Sequence, residues 1–300
     1  MVSVVLLGAG ASYGSGDVSP HTPPLGNGVD GLFARLDAVG GVAAHLPDSL
    51  KSTFRTDFEK GMSEYYEYSG GNIMTFQREL AAYLAQFQPG PTNTYRRLIK
   101  ALGAQRVIYS SLNYDLLFEL SAAEIGLNTI YGLNGAPSGI RLLKLHGSCN
   151  FWPDTPIEMF KGVTFARNSR ADVQAPIRPL NHAETLYRCA HDDSLAPAIA
   201  MYAEGKAVKV SPDYVEAQQS QWQSAVATAT RVFVSGVRVH TSDGHVWESL
   251  TKAKASVTYF GFPADRPAFL EWKAGSAKKN AFFIEADFAE CVNIIASRLK

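Results

Sequence analysis

Six short apolar runs, rich in β-branched or aromatic residues, constrain the fold of this chain more than any other feature. They are VSVVLLG (2–8), RVIYSSLN (106–113), RLLKLHG (141–147), RVFVSG (231–236), SVTYFG (256–261) and NAFFIEAD (280–287). An apolar run without polar alternation suits a strand covered on both faces, the condition of a parallel sheet. Helical patterns fall between the runs, at roughly 26–39, 74–88, 92–103, 115–125, 244–254 and 287–299. Strand and helix in succession predict an α/β fold: a doubly wound, mostly parallel Rossmann-like sheet with helices on both faces.

Two segments break that rhythm. Residues 40–73 are Gly-rich at both ends and are expected to form a helical excursion. Residues 151–225 are polar, with prolines at 153, 156, 176, 179 and 197, and are expected to be a smaller subdomain inserted into one domain spanning 1–300. That insertion ends in SPDYVEAQQSQWQSAVATA, where Ser211 reads as a helix cap and Pro212 as its first-turn proline.

Lys plus Arg number 28 and Asp plus Glu 28, so whole-chain charge gives no reason to expect nucleic-acid binding. Cys149, Cys189 and Cys291 lie far apart and form no CxxC pair, which predicts neither a zinc site nor a disulfide framework. A reducing compartment fits such cysteine usage. The opening MVSVVLLGAGAS lacks a basic flank and reaches glycine too soon for a membrane span. It reads as a buried first strand, and a cytoplasmic location is expected.

Ligands of open α/β sheets bind at the carboxyl ends of the strands, and polar residues gather there in this sequence. The first run enters GAGASYGSG, where Gly8 and Gly10 permit a tight turn and close approach of a phosphate, and Ser12 adds a hydroxyl. Gly14 stands one residue later than the usual dinucleotide fingerprint, and HTPPLGNG (21–28) is expected to delay the helix. The second site is SLNYD (111–115): Asn113 offers a donor and an acceptor, and Asp115 can hold a sugar hydroxyl or cap the helix LLFELSAAEIG. In LLKLHGSCNFW (142–152), His146 ends a strand and can accept a proton near neutral pH. In FVSGVRVHTSDGHVWESL (233–250), Ser235 and Gly236 end a strand and Asp243 can cap the next helix. His240 and His245 of that segment read as structural or surface residues.

Taken in order, GAGAS, PPLGNG, SLNYD, KLHGS, a strand ending SG, and SDGHVW resemble the sirtuin-like family. More narrowly, they are similar to the sirtuin-like NAD hydrolases of bacterial anti-phage defence, whose motifs often read GAG-x-S, T-x-N-Y-D and K-L-H-G-S. The resemblance implies that NAD+ is a substrate and that no metal is needed. It implies that Gly8, Ala9, Gly10, Ala11 and Ser12 surround the diphosphate and neighbouring ribose. Pro24 and Leu25 would belong to a loop closing over the nicotinamide end. Asn113 would orient the ribose or the attacking water, Asp115 would fix that end of the cofactor, and His146 would be the general base. Ser235 and Gly236 would contact the adenosine half, and Asp243 matches a polar position of the defence subgroup.

The chain departs from deacylating sirtuins in two ways. Leu112 stands where they carry Gln, and 151–225 holds only Cys189 where they carry two zinc-binding cysteine pairs. The expectation is therefore NAD+ hydrolysis in defence by NAD depletion. The alternatives are a deacylase or ADP-ribosyltransferase acting on protein, or a non-catalytic module binding NAD or ADP-ribose. Because unrestrained hydrolysis would kill a host, the resemblance also implies an off-state, set by self-assembly or by a separate sensor protein.

Overall fold

The computed structural model describes residues 2–133, 139–163, 172–200, 208–240 and 243–299. Among these lie strands β1 (Ser3–Leu7), β2 (Val18–Ser19), β3 (Gln88–Pro89), β4 (Val107–Ser111), β5 (Thr129–Ile130), β6 (Ile140–Lys144), β7 (Phe151–Pro153), β8 (Ile177–Pro179), β9 (Arg231–Ser235), β10 (Ser256–Gly261) and β11 (Ala281–Glu285). Seven of them form one parallel sheet in the order β11-β10-β9-β1-β4-β6-β5. The other four form two small antiparallel ribbons, β2 with β3 and β7 with β8. This is the doubly wound Rossmann-like architecture that the runs predict.

The absence of alternation in the strands has a direct cause. Val5, Leu7, Val107, Tyr109, Leu142 and Phe233 point into one core, packed with helices 32–39, 48–56, 58–68, 74–85, 94–102, 117–123 and 288–299. Val4, Leu6, Ile108, Leu143, Val232, Val234 and Val257 point into the other, with helices 212–228, 244–252 and 266–275. Both parities are apolar because both faces are covered.

Several local expectations change. The first helix is not delayed: five residues, Ala9–Tyr13, turn helical at once after β1. Residues 20–31 carry no helix, which begins instead at Leu32 behind Gly31. The excursion holds helices Asp48–Thr56 and Phe58–Tyr68, the second capped by Asp57 accepting from the Lys60 amide. Pro212 does open helix 212–228, but Ser211 does not cap it. The Ser211 hydroxyl donates to the Ala175 carbonyl and accepts from the Ala175 amide, joining two parts of the insertion. Trp222, Ala225 and Val226 of that helix pack in the second sheet core.

The insertion is fastened to the sheet layer from helix 74–85. Arg78, nearly buried, donates to the carbonyls of Leu195 and Asp193, and Gln77 donates to that of Ile199. No helix among the described residues is long and apolar enough to cross a membrane.

Candidate active site

Register brings the distant motifs to one rim. Leu7 is level with Ser111 on one side and Ser235 on the other, and Ser111 is level with Lys144. The residues just beyond are therefore Gly8, Asn113, His146 and Gly236. From β1 the chain moves toward β4, whereas from β9 it moves toward β10, so strand order reverses between β1 and β9. That is where an open α/β sheet forms its ligand crevice.

At this reversal two turns interlock. The Gly8 amide donates to the Ser235 carbonyl at 3.0 Å and the Gly10 amide to the Gly236 carbonyl at 2.9 Å. A Cβ on Gly8 would sit 2.4 Å from the Gly236 oxygen. Gly236 has φ +68, and its Cβ would lie 2.1 Å from the Ala11 nitrogen. These glycines are required first by one another, since only bare backbones approach so closely.

Ser12, Asn113 and Asp115 meet in a buried hydrogen-bonded knot. The Ser12 hydroxyl donates to Asp115 Oδ2 at 2.8 Å, while Asn113 Nδ2 donates to Ser12 Oγ at 2.8 Å and to the Gly8 carbonyl at 3.0 Å. The Tyr95 hydroxyl lies 2.9 Å from Ser12 Oγ; with the Ser12 proton on Asp115, Tyr95 is the donor. Burial, with Asp115 nearby, pushes the Tyr95 phenol well up, keeping it protonated. The other Asp115 oxygen accepts from the Leu117 amide, so Asp115 holds the helix start and the glycine turn together. Asn113 Oδ1 accepts no hydrogen bond from the described residues, and Asn113 sits at the rim with 8% exposure.

Lys144 braces this knot from below. Its Nζ donates to the Asp115 carbonyl at 2.7 Å and pairs with Glu119 at 3.1 Å, both nearly buried. Burial raises the Glu119 carboxyl above its ordinary value, and Lys144 offsets part of that rise. A lysine inside an apolar strand is itself a sequence signal, because buried lysines are rare without partners.

His146 is fully buried. Its Nε2 lies 3.4 Å from Asp243 Oδ1 and 3.1 Å from His245 Nε2. Asp243 occupies the cap position of helix 244–252 but makes no cap bond, its carboxylate being turned to His146 instead. His245, read from sequence as structural or surface, belongs to this cluster. The three side chains place ligand-type atoms within 4.8 Å of one another. The contact between the two imidazoles is a hydrogen bond, and Asp243 stands at ion-pair distance from His146.

The remaining candidates sit differently. Burial pushes the Cys291 thiol on helix 288–299 up to about 12, the Ser235 side chain offsetting part of the rise, and the Ser235 carbonyl takes part in the interlock. Ala9 is exposed and Ala11 buried. Pro24 and Leu25 lie on a loop pinned to the excursion, where Asn27 Oδ1 accepts from the Phe58 amide. Glu59 next to it faces His240 at 3.5 Å, so the excursion bridges this loop and the segment after β9. A separate apolar hollow, bounded by Val42, Leu46, Tyr65 and Tyr68, lies within the excursion and away from the strand ends. Thr241 and Ser242 lie outside the described residues.

The architecture defines a Rossmann-like α/β protein with a polar rim at its strand reversal. No protein-family model and no curated protein matches the chain.

Proposed function

We propose that this protein hydrolyses NAD+ at the bond between nicotinamide and ribose. One observation carries the reading: the glycine turn, Asn113 and a buried His146 backed by Asp243 stand at the adjacent ends of β1, β4 and β6, beside the strand reversal. Cleavage needs the ribose oriented, the nicotinamide expelled and a water brought to the anomeric carbon as positive charge develops there. Asn113 Oδ1, which accepts from none of the described residues, supplies an acceptor for a ribose hydroxyl or that water. His146 supplies the base, and Asp243 favours the imidazolium that forms. The turn Gly8–Ser12 would take the diphosphate side, with backbone packing setting its shape.

The knot gives Asn113 and Asp115 a second duty, since they hold the rim as well as facing it. A defence role, an off-state and self-assembly extend the same reading and rest on the motif resemblance. The deciding experiment follows nicotinamide release from NAD+ by the purified chain and by His146→Ala and Asn113→Ala. A positioned base is worth ~10²–10⁴-fold in rate. The expected result is release by the unaltered chain and loss of that order in His146→Ala; near-normal turnover in both variants ends the proposal.

A further inference from the structure

The geometry points to a second occupant of the rim: His146, Asp243 and His245 bind a divalent transition-metal ion of the zinc class, and the bound ion holds hydrolysis off. The binding site stands on its own geometry; the inhibition rests on the hydrolytic reading above.

Three atoms of ligand type converge here. His146 Nε2 lies 3.1 Å from His245 Nε2 and 3.4 Å from Asp243 Oδ1, and ligand atoms from the three side chains lie within 4.8 Å of one another. Only one proton fits between two facing imidazole nitrogens, whereas a cation satisfies both nitrogens and the carboxylate at once. Zinc holds His nitrogens and carboxylate oxygens at about 2.0–2.2 Å in a tetrahedron, which sets the ligand atoms about 3.3–3.6 Å apart. The two separations fall in that range or about 0.2 Å short of it. Two imidazoles and one carboxylate select such an ion over magnesium or calcium, which take oxygen ligands. Asp243 stands at the cap position of helix 244–252 without making the cap bond, so its carboxylate serves the trio rather than its own helix. His146 is buried, but His245 is only partly so and gives the ion an approach.

The ion and the reaction compete for one group. An imidazole that gives its Nε2 lone pair to the ion keeps its proton on Nδ1, so His146 has no nitrogen left to take a proton from water. The ion also adds positive charge beside a ribose on which positive charge develops, opposing the transition state. Coordination forms dative bonds from the two nitrogens and the carboxylate oxygen and oxidises nothing, so removing the ion restores the base.

Zinc is the probe, used with the full chain after chelation. One zinc ion should bind this trio, with X-ray absorption showing nitrogen and oxygen ligands at about 2.0–2.2 Å and no sulfur near about 2.3 Å. His245→Ala and Asp243→Asn should each weaken binding at least ~10-fold, the lower end of what loss of even an outer partner costs. Magnesium should not compete. Sulfur ligands, or affinity unchanged in both variants, overturn the site. Nicotinamide release should fall with zinc occupancy, by at least about tenfold at saturation, and return on chelation. In His245→Ala the ratio of rates without and with zinc should approach one at the concentration that silences the unaltered chain. Release unchanged or raised by zinc on the trio overturns the inhibition. No release from the metal-free chain, with zinc still held by the trio, ends the hydrolytic reading and the inhibition together and leaves the binding site standing.

Discussion

The amide of Gly10 donates to the carbonyl of Gly236 at 2.9 Å, so that bond and the one from Gly8 to Ser235 join the ends of the first and ninth strands into one surface. A methyl group at Gly236 would meet the Ala11 nitrogen at 2.1 Å from a left-handed backbone. Gly236→Ala is expected to cost about 2–4 kcal/mol, combining overpacking with the left-handed penalty. Gly103→Ala is the control: its φ is +70 but nothing lies within 4 Å, so about 1 kcal/mol is expected. Urea denaturation of both variants checks the difference.

The Ser12 hydroxyl joins three elements, and its removal tests the knot separately from chemistry. Ser12→Ala leaves Asp115 Oδ2, Asn113 Nδ2 and the Tyr95 hydroxyl each short of a partner. A loss of about 1–3 kcal/mol is expected, the cost of buried groups left unsatisfied. Thermal unfolding against wild type measures it, and Ser12→Thr should recover most of the loss.

Glu119 gives a pH dependence whose sign follows from its raised carboxyl. The folded chain holds that proton more tightly than the unfolded chain does. The contribution of Glu119 is therefore full below the ordinary glutamate value and is lost as pH rises through the higher folded value. Glu119→Gln should make the denaturation midpoint fall less across that window.

Lys144→Met strips the partner from Glu119 and the donor from the Asp115 carbonyl. Breaking one side of a buried pair costs about 3–5 kcal/mol. The double variant Lys144→Met/Glu119→Gln should be more stable than Lys144→Met alone, which chemical denaturation of the two would reveal.

Arg78 clamps the insertion through the carbonyls of Asp193 and Leu195. Arg78→Leu should speed limited proteolysis within 192–200 several-fold while leaving cleavage elsewhere unchanged. Peptide mapping of the first fragments distinguishes local release from global unfolding.

The sheet was legible because its inner strands are buried on both faces, which writes itself as unbroken apolar runs. β5 was not, since Thr129 and Ile130 are a two-residue edge strand with no run to see. Helix 266–275 was missed where Pro267 and a short amphipathic pattern follow a strand. The rim residues were visible as polar side chains at strand ends, but their bonds were not. Asp243 and Ser211 both stand where local rules place a cap, and both spend their side chains on distant partners. His245 gains its meaning from His146, 99 residues away, a meeting that spacing along the chain does not encode. Lys144 was the anomaly that could have pointed inward.

The interlocked turns also bear on how the protein is made. Gly8 and Gly236 supply opposite halves of one surface, and His146 is backed by residues as late as 245. During synthesis from the N-terminus, the rim stays open until nearly the whole sheet has emerged. Products interrupted before Gly236 lack the β9 side of it and the partners of His146, so whatever chemistry the complete rim performs is withheld from such partial chains.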